Sequence, residues 1–361
     1  MTGPRLLILE GDGIGPEIVR ATIAVLQAAD LAYGLGLSFA TATVGFGALE
    51  KDGSTIPAAV IDAARAADGI VLGPVSHNDY PPVAEGGLNP SGVLRTSLDL
   101  FANIRPARTP EGLGNGRPVD LVTVRENTEG FYADRNMHVG PGEFMPDPDM
   151  ALAVRKVTRR ASRRIAEAAF ALAATRPARH VTAVHKANVL RLSDGLFLAE
   201  CRAVAEAHPD IRYDEVLVDA MAAHLVRDAS RWDVIVTTNM YGDILSDLAA
   251  ELAGGLGLAG SLNAGDAHAM AQAQHGSAPD IAGQGVANPA SLIASAAMLL
   301  DWLAARRGHE ASARAARGIE AGLAAALAEP GTRTPDLGGS ATTDSMARAV
   351  ADRIGQEETA S

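Results

Sequence analysis

The stretch that most constrains the fold is a short apolar run followed by a turn and an amphipathic helix. Residues 233–238 are mostly β-branched, which is typical of a buried parallel strand. Residues 239–242 predict a turn, and residues 243–252 place their apolar side chains in one helical stripe. A parallel strand that leads directly into a helix favours an α/β fold.

Two acidic residues stand at the start of that predicted helix. Asp243 and Asp247 are four positions apart, so their β-carbons lie roughly 6 Å apart on one face. Like charges at this spacing destabilise a helix by roughly a few tenths of a kcal/mol. A hard divalent cation bound by both carboxylates would offset the repulsion. The other interpretation is a solvated acidic face, and the two aspartates alone leave both open.

Composition narrows the class of protein. The 361 residues are 47% hydrophobic, enough for one large domain or two ordinary ones, and a net charge of −12 argues against a nucleic-acid partner. Cys201 is the only cysteine, which excludes an intramolecular disulfide and a multi-cysteine zinc site. No apolar run reaches the roughly 18 residues of a membrane span. Residues 1–5 lead straight into a strand, so we expect no signal peptide and a soluble, cytoplasmic protein.

Residues 11–17 form a glycine-rich turn between a predicted strand and a helix. The turn does not match the dinucleotide fingerprint of the classical Rossmann fold, because Pro16 stands where Gly or Ala is required. Two interpretations remain: an anion- or cofactor-binding edge, and a tight connection between strand and helix.

Three arginines arrive from separate elements. Asn89 and Pro90 are suited to cap and begin a helix over residues 91–98 that carries Arg95. Arg105 and Arg125 follow in later segments. Three guanidinium groups in one place would bind a multiply carboxylated ligand; otherwise they are three surface arginines.

Several polar residues follow predicted strands. Lys186 comes just after the strand 181–184, and Asp219 ends the run 215–219. The carboxyl ends of parallel strands form the functional edge of an open α/β sheet, so we expect these residues near the aspartates of the 243–252 helix. Residues 126–147 predict an extended arm, and residues 151–174 predict one long helix.

In their order and spacing, eight segments resemble the isocitrate and 3-isopropylmalate dehydrogenase family over nearly the whole chain. The segments are residues 11–17, 94–95, 102–106, 124–132, 186–188, 218–221, 239–247 and 275–283. The resemblance implies an α/β, isopropylmalate-dehydrogenase-like fold with two domains that share a mixed sheet. Residues 1–104 and 257–361 would form the large, cofactor-binding domain, and residues 105–256 the small domain with the dimer interface, the metal and the catalytic residues.

The resemblance also implies the chemistry: NAD-dependent oxidative decarboxylation of a 3-carboxy-2-hydroxy acid with Mg²⁺ or Mn²⁺, in a homodimer with shared active sites. Asp243 and Asp247, with Asp219 of the partner subunit, would hold a cation that chelates the C1 carboxylate and the 2-hydroxyl. Lys186 of the partner subunit would accept the hydroxyl proton, and C2 would pass a hydride to the nicotinamide. After CO₂ leaves from C3, Tyr132 would protonate that carbon.

The implied ligand-binding residues fall in two groups. Arg95, Arg105 and Arg125 would bind the two malate carboxylates. The residues that would surround the cofactor are Ile14, His275, Gly276, Ser277, Ala278, Asp280, Ile281 and Asn288. Asp280 can accept a hydrogen bond from the ribose 2′-hydroxyl and would repel a 2′-phosphate, which favours NAD over NADP.

The substrate is the open question. Gly92 and Ser91 stand where 3-isopropylmalate enzymes have leucines, while Asn89 and Ser91 interchange the Ser and Asn of isocitrate enzymes. Polar residues favour an isocitrate-like or homoisocitrate-like substrate. The alternatives are 3-isopropylmalate of leucine synthesis, tartrate or D-malate, a catalytically silent regulatory subunit, and an Asn89 that only caps its helix. Residues 272–274 also depart from the Glu-Pro-Val that is usual in the family.

Overall fold

A ten-stranded mixed sheet runs through the protein, whose computed structural model describes residues 3–114, 116–132, 137, 140 and 142–355. The spatial order of the strands is β2-β1-β3-β12-β11-β4-β5-β10-β8-β9. The strands, including the separate β6–β7 ribbon, are β1 Arg5–Leu9, β2 Ser38–Ala42, β3 Gly69–Leu72, β4 Ala102–Arg108, β5 Asp120–Glu126, β6 Glu143–Asp147, β7 Met150–Ala153, β8 His180–His185, β9 Arg212–Leu217, β10 Val234–Thr237, β11 Leu262–Ala264 and β12 Ala269–Gln272.

The sheet has two parallel parts joined by antiparallel strands. Strands β2, β1, β3 and β12 are parallel, as are β5, β10, β8 and β9, while β11 and β4 pair antiparallel with each other and with their outer neighbours. The first part comes from both ends of the chain and the second from its middle. This mixed α/β architecture confirms the predicted fold class, and the domain limits near residues 105 and 257 stay a prediction.

Helices cover both faces of the sheet, and for this reason interior strands of its parallel parts, such as β1, β3 and β10, are buried on both sides. Residues 6–9 of β1 are at most 1% exposed, as a doubly covered strand requires. The helices are α1 Gly15–Tyr33, α2 Phe46–Asp52, α3 Ala58–Ala66, α4 Pro90–Ser97, α5 Arg159–Thr175, α6 Ser193–Glu206, α7 Val218–Asp228, α8 Asn239–Ala253, α9 Ala290–Arg307, α10 Glu310–Ala328 and α11 Thr343–Ala351. Within the described ranges, no helix combines the length and apolar character needed to cross a membrane.

The predicted turn at residues 239–242 is wrong, because α8 begins at Asn239. Gly242 is required by packing rather than by a turn: a β-carbon there would lie 2.6 Å from Cγ of Arg125. Asn239 is also fixed by tertiary contacts, since its Nδ2 donates to the carbonyl of Glu129 at 3.0 Å. The extra turn places Asp243 in the second turn of α8.

The predicted helix over residues 151–174 is wrong at its start. Met150–Ala153 is strand β7, which pairs with β6 in an exposed two-stranded ribbon, and α5 begins only at Arg159. The chain stays extended because Lys156 bridges antiparallel to Gly130, and Thr158 then caps α5 by accepting from the Ala161 amide at 3.2 Å. Residues 133–136, 138–139 and 141 of the predicted arm lie outside the described residues.

Candidate active site

A cavity of about 290 Å³ lies where the two parts of the sheet meet. Two walls face it. The β4–β5–α8 wall carries Arg105, Arg125, Tyr132, Asp243 and Asp247. The α4–β12 wall carries Asn89, Ser91, Arg95, Gln272 and Gln274. The structure thus brings all three predicted arginines and two of the three predicted metal-binding aspartates to one cavity.

The β4–β5–α8 wall is a network of charged groups. Arg105 Nη1 donates to Asp243 Oδ1 at 3.2 Å and to Asp247 Oδ1 at 3.1 Å. Arg125 also donates to Asp243, and the Tyr132 hydroxyl donates to Asp243 Oδ2 at 3.4 Å. The repulsion between the two carboxylates is therefore offset in this structure by one guanidinium that bridges them.

Arg105 and Asp243 of this wall are charged at neutral pH. Burial and the neighbouring Arg125 lower the pKa of Arg105 to about 10, which still leaves the guanidinium protonated. Burial raises the pKa of Asp243, but Arg125 and Arg105 outweigh it, so the pKa of that carboxyl lies below its usual value. The guanidinium and carboxylate groups are thus ready to exchange partners with a charged ligand.

Two carboxylates of α8 have the chemistry that a divalent cation needs. The side chains of Asp243 and Asp247 are 37% and 49% exposed, and carboxylate oxygens are the ligands that Mg²⁺ prefers. No third acidic, His or Cys side chain of the described residues joins them. They fit a cation whose remaining ligands come from elsewhere.

Lys186 and Asp219 pair with each other away from this cavity. Lys186 Nζ donates to Asp219 Oδ1 at 2.5 Å, and that bond holds the pKa of the Asp219 carboxyl below its usual range. Neither residue lines the cavity of its own chain. The expectation that the partner subunit supplies both stays a prediction.

The α4–β12 wall is held together by side-chain hydrogen bonds. Asn89 Oδ1 accepts from the Gly92 amide at 3.2 Å, so Asn89 caps α4 while also lining the cavity. Ser91 Oγ and Arg95 Nη2 donate to Gln272 Oε1 at 2.8 and 3.2 Å. The first residues of α4 are therefore tied to the end of β12.

Gln274 connects the two walls and was not predicted as a site residue. Its Nε2 donates to Asp247 Oδ1 at 2.8 Å. A signal was present in the sequence: Gln272 and Gln274 are two positions apart at a strand end, a spacing that puts side chains on one face. Both also stand where the chain departs from the family pattern. Only their contacts reveal that they reach the cavity.

A second cavity, of about 420 Å³, gathers most of the predicted cofactor residues. The predicted residues that line it are Ile14, His275, Gly276, Ala278, Ile281 and Asn288. Ser277 is buried beside it, where its hydroxyl lies 2.7 Å from that of Ser76. Asp280 is exposed on the short 3₁₀ turn Pro279–Ile281. All eight thus lie in or next to one cleft.

His275 lines both cavities, so it stands where a long ligand would pass from one to the other. Its Nδ1 pairs with the Gly276 carbonyl at 2.9 Å, while Nε2 is buried and has no partner among the described residues. Burial lowers the pKa of this imidazole, which favours the neutral ring with Nε2 as an acceptor. A ribose hydroxyl would satisfy it, so the cleft fits a dinucleotide.

The glycine-rich turn connects elements and also borders the cofactor cleft. Asp12 accepts from the amides of Phe46 and Ser76 at 2.8 and 3.0 Å and from the Tyr80 hydroxyl. The Ile14 amide donates to the Ser277 carbonyl at 2.8 Å. The carboxylate is used internally, and the turn places Ile14 at the cleft.

The geometry agrees with comparisons to known proteins. The profile of a family described as isocitrate/isopropylmalate dehydrogenase matches residues 5–350. An isocitrate/homoisocitrate dehydrogenase of Thermus thermophilus is 42% identical over 97% of this chain and 98% of its own length. A 3-isopropylmalate dehydrogenase of Archaeoglobus fulgidus is 40% identical over 96% of this chain and 98% of its own.

A solved structure gives the same result. The crystal structure of isocitrate dehydrogenase from Methylococcus capsulatus superposes with a TM-score of 0.87 at 40% identity, covering 99% of this chain and 100% of that one. Members of the matched family are generally NAD(P)- and divalent-metal-dependent and act on small hydroxy-acid substrates. The chain therefore belongs to the isocitrate/isopropylmalate dehydrogenase family of dehydrogenases.

Proposed function

We propose that the protein catalyses NAD-dependent oxidative decarboxylation of a 3-carboxy-2-hydroxy acid, an isocitrate-like or homoisocitrate-like derivative of malate. The observation that carries this proposal is one cavity that joins Arg95, Arg105 and Arg125 to Asp243 and Asp247. Planar guanidinium groups bind carboxylates bidentately, and paired aspartates bind a hard cation. A substrate with several carboxylates and a hydroxyl group matches both.

The arginines would bind and orient the substrate. Arg105 and Arg125 are 8% and 3% exposed in their side chains, so their positions are fixed by packing. Asp243 engages both of them. A substrate carboxylate would compete with Asp243 for the same donors, and the buried guanidinium groups would remain paired throughout the exchange.

Proton transfers would involve two residues from different subunits. Tyr132 reaches the cavity, and its ring lies 5.8 Å from the Arg125 guanidinium carbon. Its hydroxyl would give a proton to the substrate carbon that loses CO₂. Lys186 of the partner subunit, next to Asp219, would take the proton of the 2-hydroxyl. We therefore propose a homodimer with shared sites.

Two cofactors complete the proposed site. Mg²⁺ or Mn²⁺, held by Asp243, Asp247 and Asp219 of the partner subunit, would polarise the substrate's carboxylate and hydroxyl oxygens. NAD in the cleft at His275 would accept the hydride. Asp280 supports NAD over NADP, because its carboxylate would repel a 2′-phosphate.

The polar side chains of the α4–β12 wall are evidence for a substrate with a polar substituent on C3. Ser91 is 4% exposed, and Gln272 lines the same wall. A branched alkyl group would place apolar surface against this polar wall, at a cost in transition-state binding. The names of the relatives include both isocitrate and 3-isopropylmalate enzymes, so 3-isopropylmalate is the main alternative substrate. Tartrate and D-malate are further alternatives, from the resemblance in sequence alone.

The direct test is NADH formation, followed by absorbance with Mg²⁺ or Mn²⁺. The substrates are isocitrate, homoisocitrate, 3-isopropylmalate, 3-methylmalate, D-malate and tartrate, each with NAD and with NADP. We expect the highest kcat/KM with NAD and a substrate whose C3 substituent carries a carboxylate. Preference for 3-isopropylmalate would refute the substrate assignment, and no turnover of any compound would favour a silent subunit.

A separate variant tests the assignment of NAD as the cofactor. Asp280→Lys replaces the repelling carboxylate by a charge that attracts a 2′-phosphate, so the NAD/NADP ratio of kcat/KM should fall at least about 10-fold. Asp52→Lys, at the exposed end of α2, is the matched charge control. An unchanged ratio in Asp280→Lys would contradict the role of Asp280.

A further inference from the structure

A buried ion pair lies beside the turn that carries Lys186. Arg155 donates to Asp194 through Nη1, and the two side chains are 8% and 0% exposed. The second oxygen of Asp194, Oδ2, accepts from the backbone amide of Lys186 at 2.5 Å. A buried carboxylate without a cation opposite it is costly, so Asp194 keeps this place only while Arg155 is present. The position of the Lys186 backbone therefore depends on Arg155.

The second amino group of Arg155 contacts the helix that borders the cavity of its own chain. Nη2 donates to the hydroxyl of Thr238 at 2.9 Å, and Thr238 is the N-cap of α8. The guanidinium carbon also lies 5.3 Å from the ring centroid of Tyr241, in the first turn of α8. Arg155 thus holds the start of the helix that carries Asp243 and Asp247.

Arg155 is also next to the segment that delivers Tyr132 to the cavity. The following residue, Lys156, exchanges two backbone hydrogen bonds with Gly130, at 2.8 and 3.0 Å. The guanidinium carbon of Arg155 lies 5.9 Å from the ring centroid of Phe131. Tyr132 is the next residue along the chain, and it lines the cavity. One guanidinium group therefore contacts the surroundings of both proposed proton-transfer residues.

The opposite end of strand β8 is held by the same kind of pair, which provides an internal comparison. Arg176 donates to Asp233, and Asp233 Oδ2 accepts from the backbone amide of His180 at 3.2 Å. The two side chains are 20% and 5% exposed, and neither lines the cavity. This second pair can only stabilise the fold, whereas the pair beside Lys186 also determines where Lys186 lies.

We propose that Arg155 is a positioning residue for two active sites at once. Through Asp194 it holds Lys186, which would serve the site of the partner subunit. Through α8 and the segment of Tyr132 it holds the site of its own chain. This inference rests on the proposed function, because it requires the homodimer with shared sites. Loss of Arg155 should damage both sites of a mixed dimer, whereas loss of Asp194 should damage only the site that Lys186 serves.

The first test compares Asp194→Asn with Asp233→Asn, the same change in the two pairs. Asp194→Asn should lower kcat about 10²-fold and change the KM for substrate less than about 3-fold, because a misplaced Lys186 slows proton transfer but leaves the substrate-binding arginines in place. Asp233→Asn should lower the unfolding temperature by a similar amount and keep kcat within about 2-fold of wild type. Equal losses of kcat in the two variants, or no loss in Asp194→Asn, would overturn the proposal.

The second test refolds mixtures of two impaired variants. Tyr132→Phe should restore Asp194→Asn to about a quarter of wild-type activity, since each mixed dimer keeps one intact site. Lys186→Ala should not restore Asp194→Asn, because both changes impair the same group. Neither partner should restore Arg155→Gln, and activity returning with either would overturn the link between the sites. Arg176→Gln is the control for a broken pair, and it should be active alone and in both mixtures.

Hydrogen exchange of the Lys186 amide tests the positioning without turnover. This amide should exchange at least about 10-fold faster in Arg155→Gln and in Asp194→Asn than in wild type, because its acceptor is displaced. Arg176→Gln should leave the rate unchanged. The interior amides of β8 should stay protected in every variant, which shows that the variants are folded. An unchanged rate at Lys186 in Arg155→Gln would overturn the proposal.

The same measurements separate this inference from the proposed function. A wild type that turns over none of the compounds would refute the proposed reaction, and faster exchange at Lys186 in Arg155→Gln would still support its positioning by Arg155. An active wild type in which Lys186→Ala and Tyr132→Phe restore each other, but in which either also restores Arg155→Gln, would refute only this inference.

Discussion

The two walls of the cavity differ in what holds them and in what they can do. The β4–β5–α8 wall is charged: Arg105 and Arg125 share Asp243, and these side chains are mostly buried. The α4–β12 wall has a single charged group, Arg95, and no carboxylate; one amide oxygen of Gln272 accepts from Ser91, Arg95 and Asn263. The first arrangement suits chemistry that any malate derivative needs, and the second suits discrimination among derivatives.

This difference predicts how substitutions in each wall should affect turnover and substrate preference. Changes in the β4–β5–α8 wall should lower turnover of every substrate, because they remove charged side chains that would contact the reacting part of the substrate. Changes at Ser91 and Gln272 of the α4–β12 wall should alter the ranking of substrates and spare the reaction. Substitutions in each wall test this contrast.

The largest effect is expected from Asp243→Asn. The change keeps the shape of the side chain but removes the charge that would bind a cation and that pairs with Arg105 and Arg125. We expect kcat/KM to fall by about 10³-fold or more for all substrates. Titration with Mn²⁺, followed by electron paramagnetic resonance, should show weakened metal binding.

The control for Asp243→Asn is Asp52→Asn at the exposed end of α2, which should change neither measurement. If Asp243→Asn retained full metal affinity, Asp243 would not be a metal ligand. If it lowered activity for one substrate only, the contrast between the walls would be wrong.

The next effect concerns Lys186, which does not reach the cavity of its own chain, and its combination with Tyr132, which does. Lys186→Ala and Tyr132→Phe should each be inactive alone. If Lys186 serves the site of the partner subunit, refolding an equal mixture makes about half of the dimers mixed, each with one intact site in two. Activity should then return to about a quarter of wild type.

The same mixture can contradict the shared site. If Lys186 and Tyr132 acted within one chain, both sites of a mixed dimer would be defective and no activity would return. A mixture of Lys186→Ala with Asp219→Asn is the matched control, because both residues would come from the same subunit. That mixture should stay inactive.

The smallest effect is expected from Gln274→Val, which removes the hydrogen bond between the walls. Asp247 would lose a donor that orients its carboxylate, so Mn²⁺ should bind about 10-fold more weakly. The ranking of substrates should not change, because Gln272 keeps its partners. Gln27→Val on α1 controls for the loss of an amide; a changed ranking in Gln274→Val would show that the walls are not independent.

The sequence predicted those parts of the site that depend on local spacing. The four-residue interval of Asp243 and Asp247 put both carboxylates within reach of one nitrogen of Arg105, and Asn89 caps α4 as expected. Fold class followed from the alternation of strands and helices and from ordered motifs. These features need only helix periodicity, capping and a recognisable pattern.

What the sequence could not predict depends on contacts between distant segments. Gly242 looked like a turn residue, but it lies inside α8, where the side chain of Arg125 leaves no room for a β-carbon. The pairing of Gln274 with Asp247 and of Ser91 with Gln272 joins residues 27 and 181 positions apart. Propensity gives no information about such pairs, so the donors of the α4–β12 wall appear only in three dimensions.

The most direct test of the proposed reaction is the stoichiometry of CO₂ and NADH released from the preferred substrate. One CO₂ per NADH, with both lost when a chelator removes the divalent metal and both restored by Mg²⁺ or Mn²⁺, is the predicted result. NADH formed without CO₂, or activity unaffected by the chelator, would contradict a metal-dependent decarboxylating dehydrogenase at this cavity.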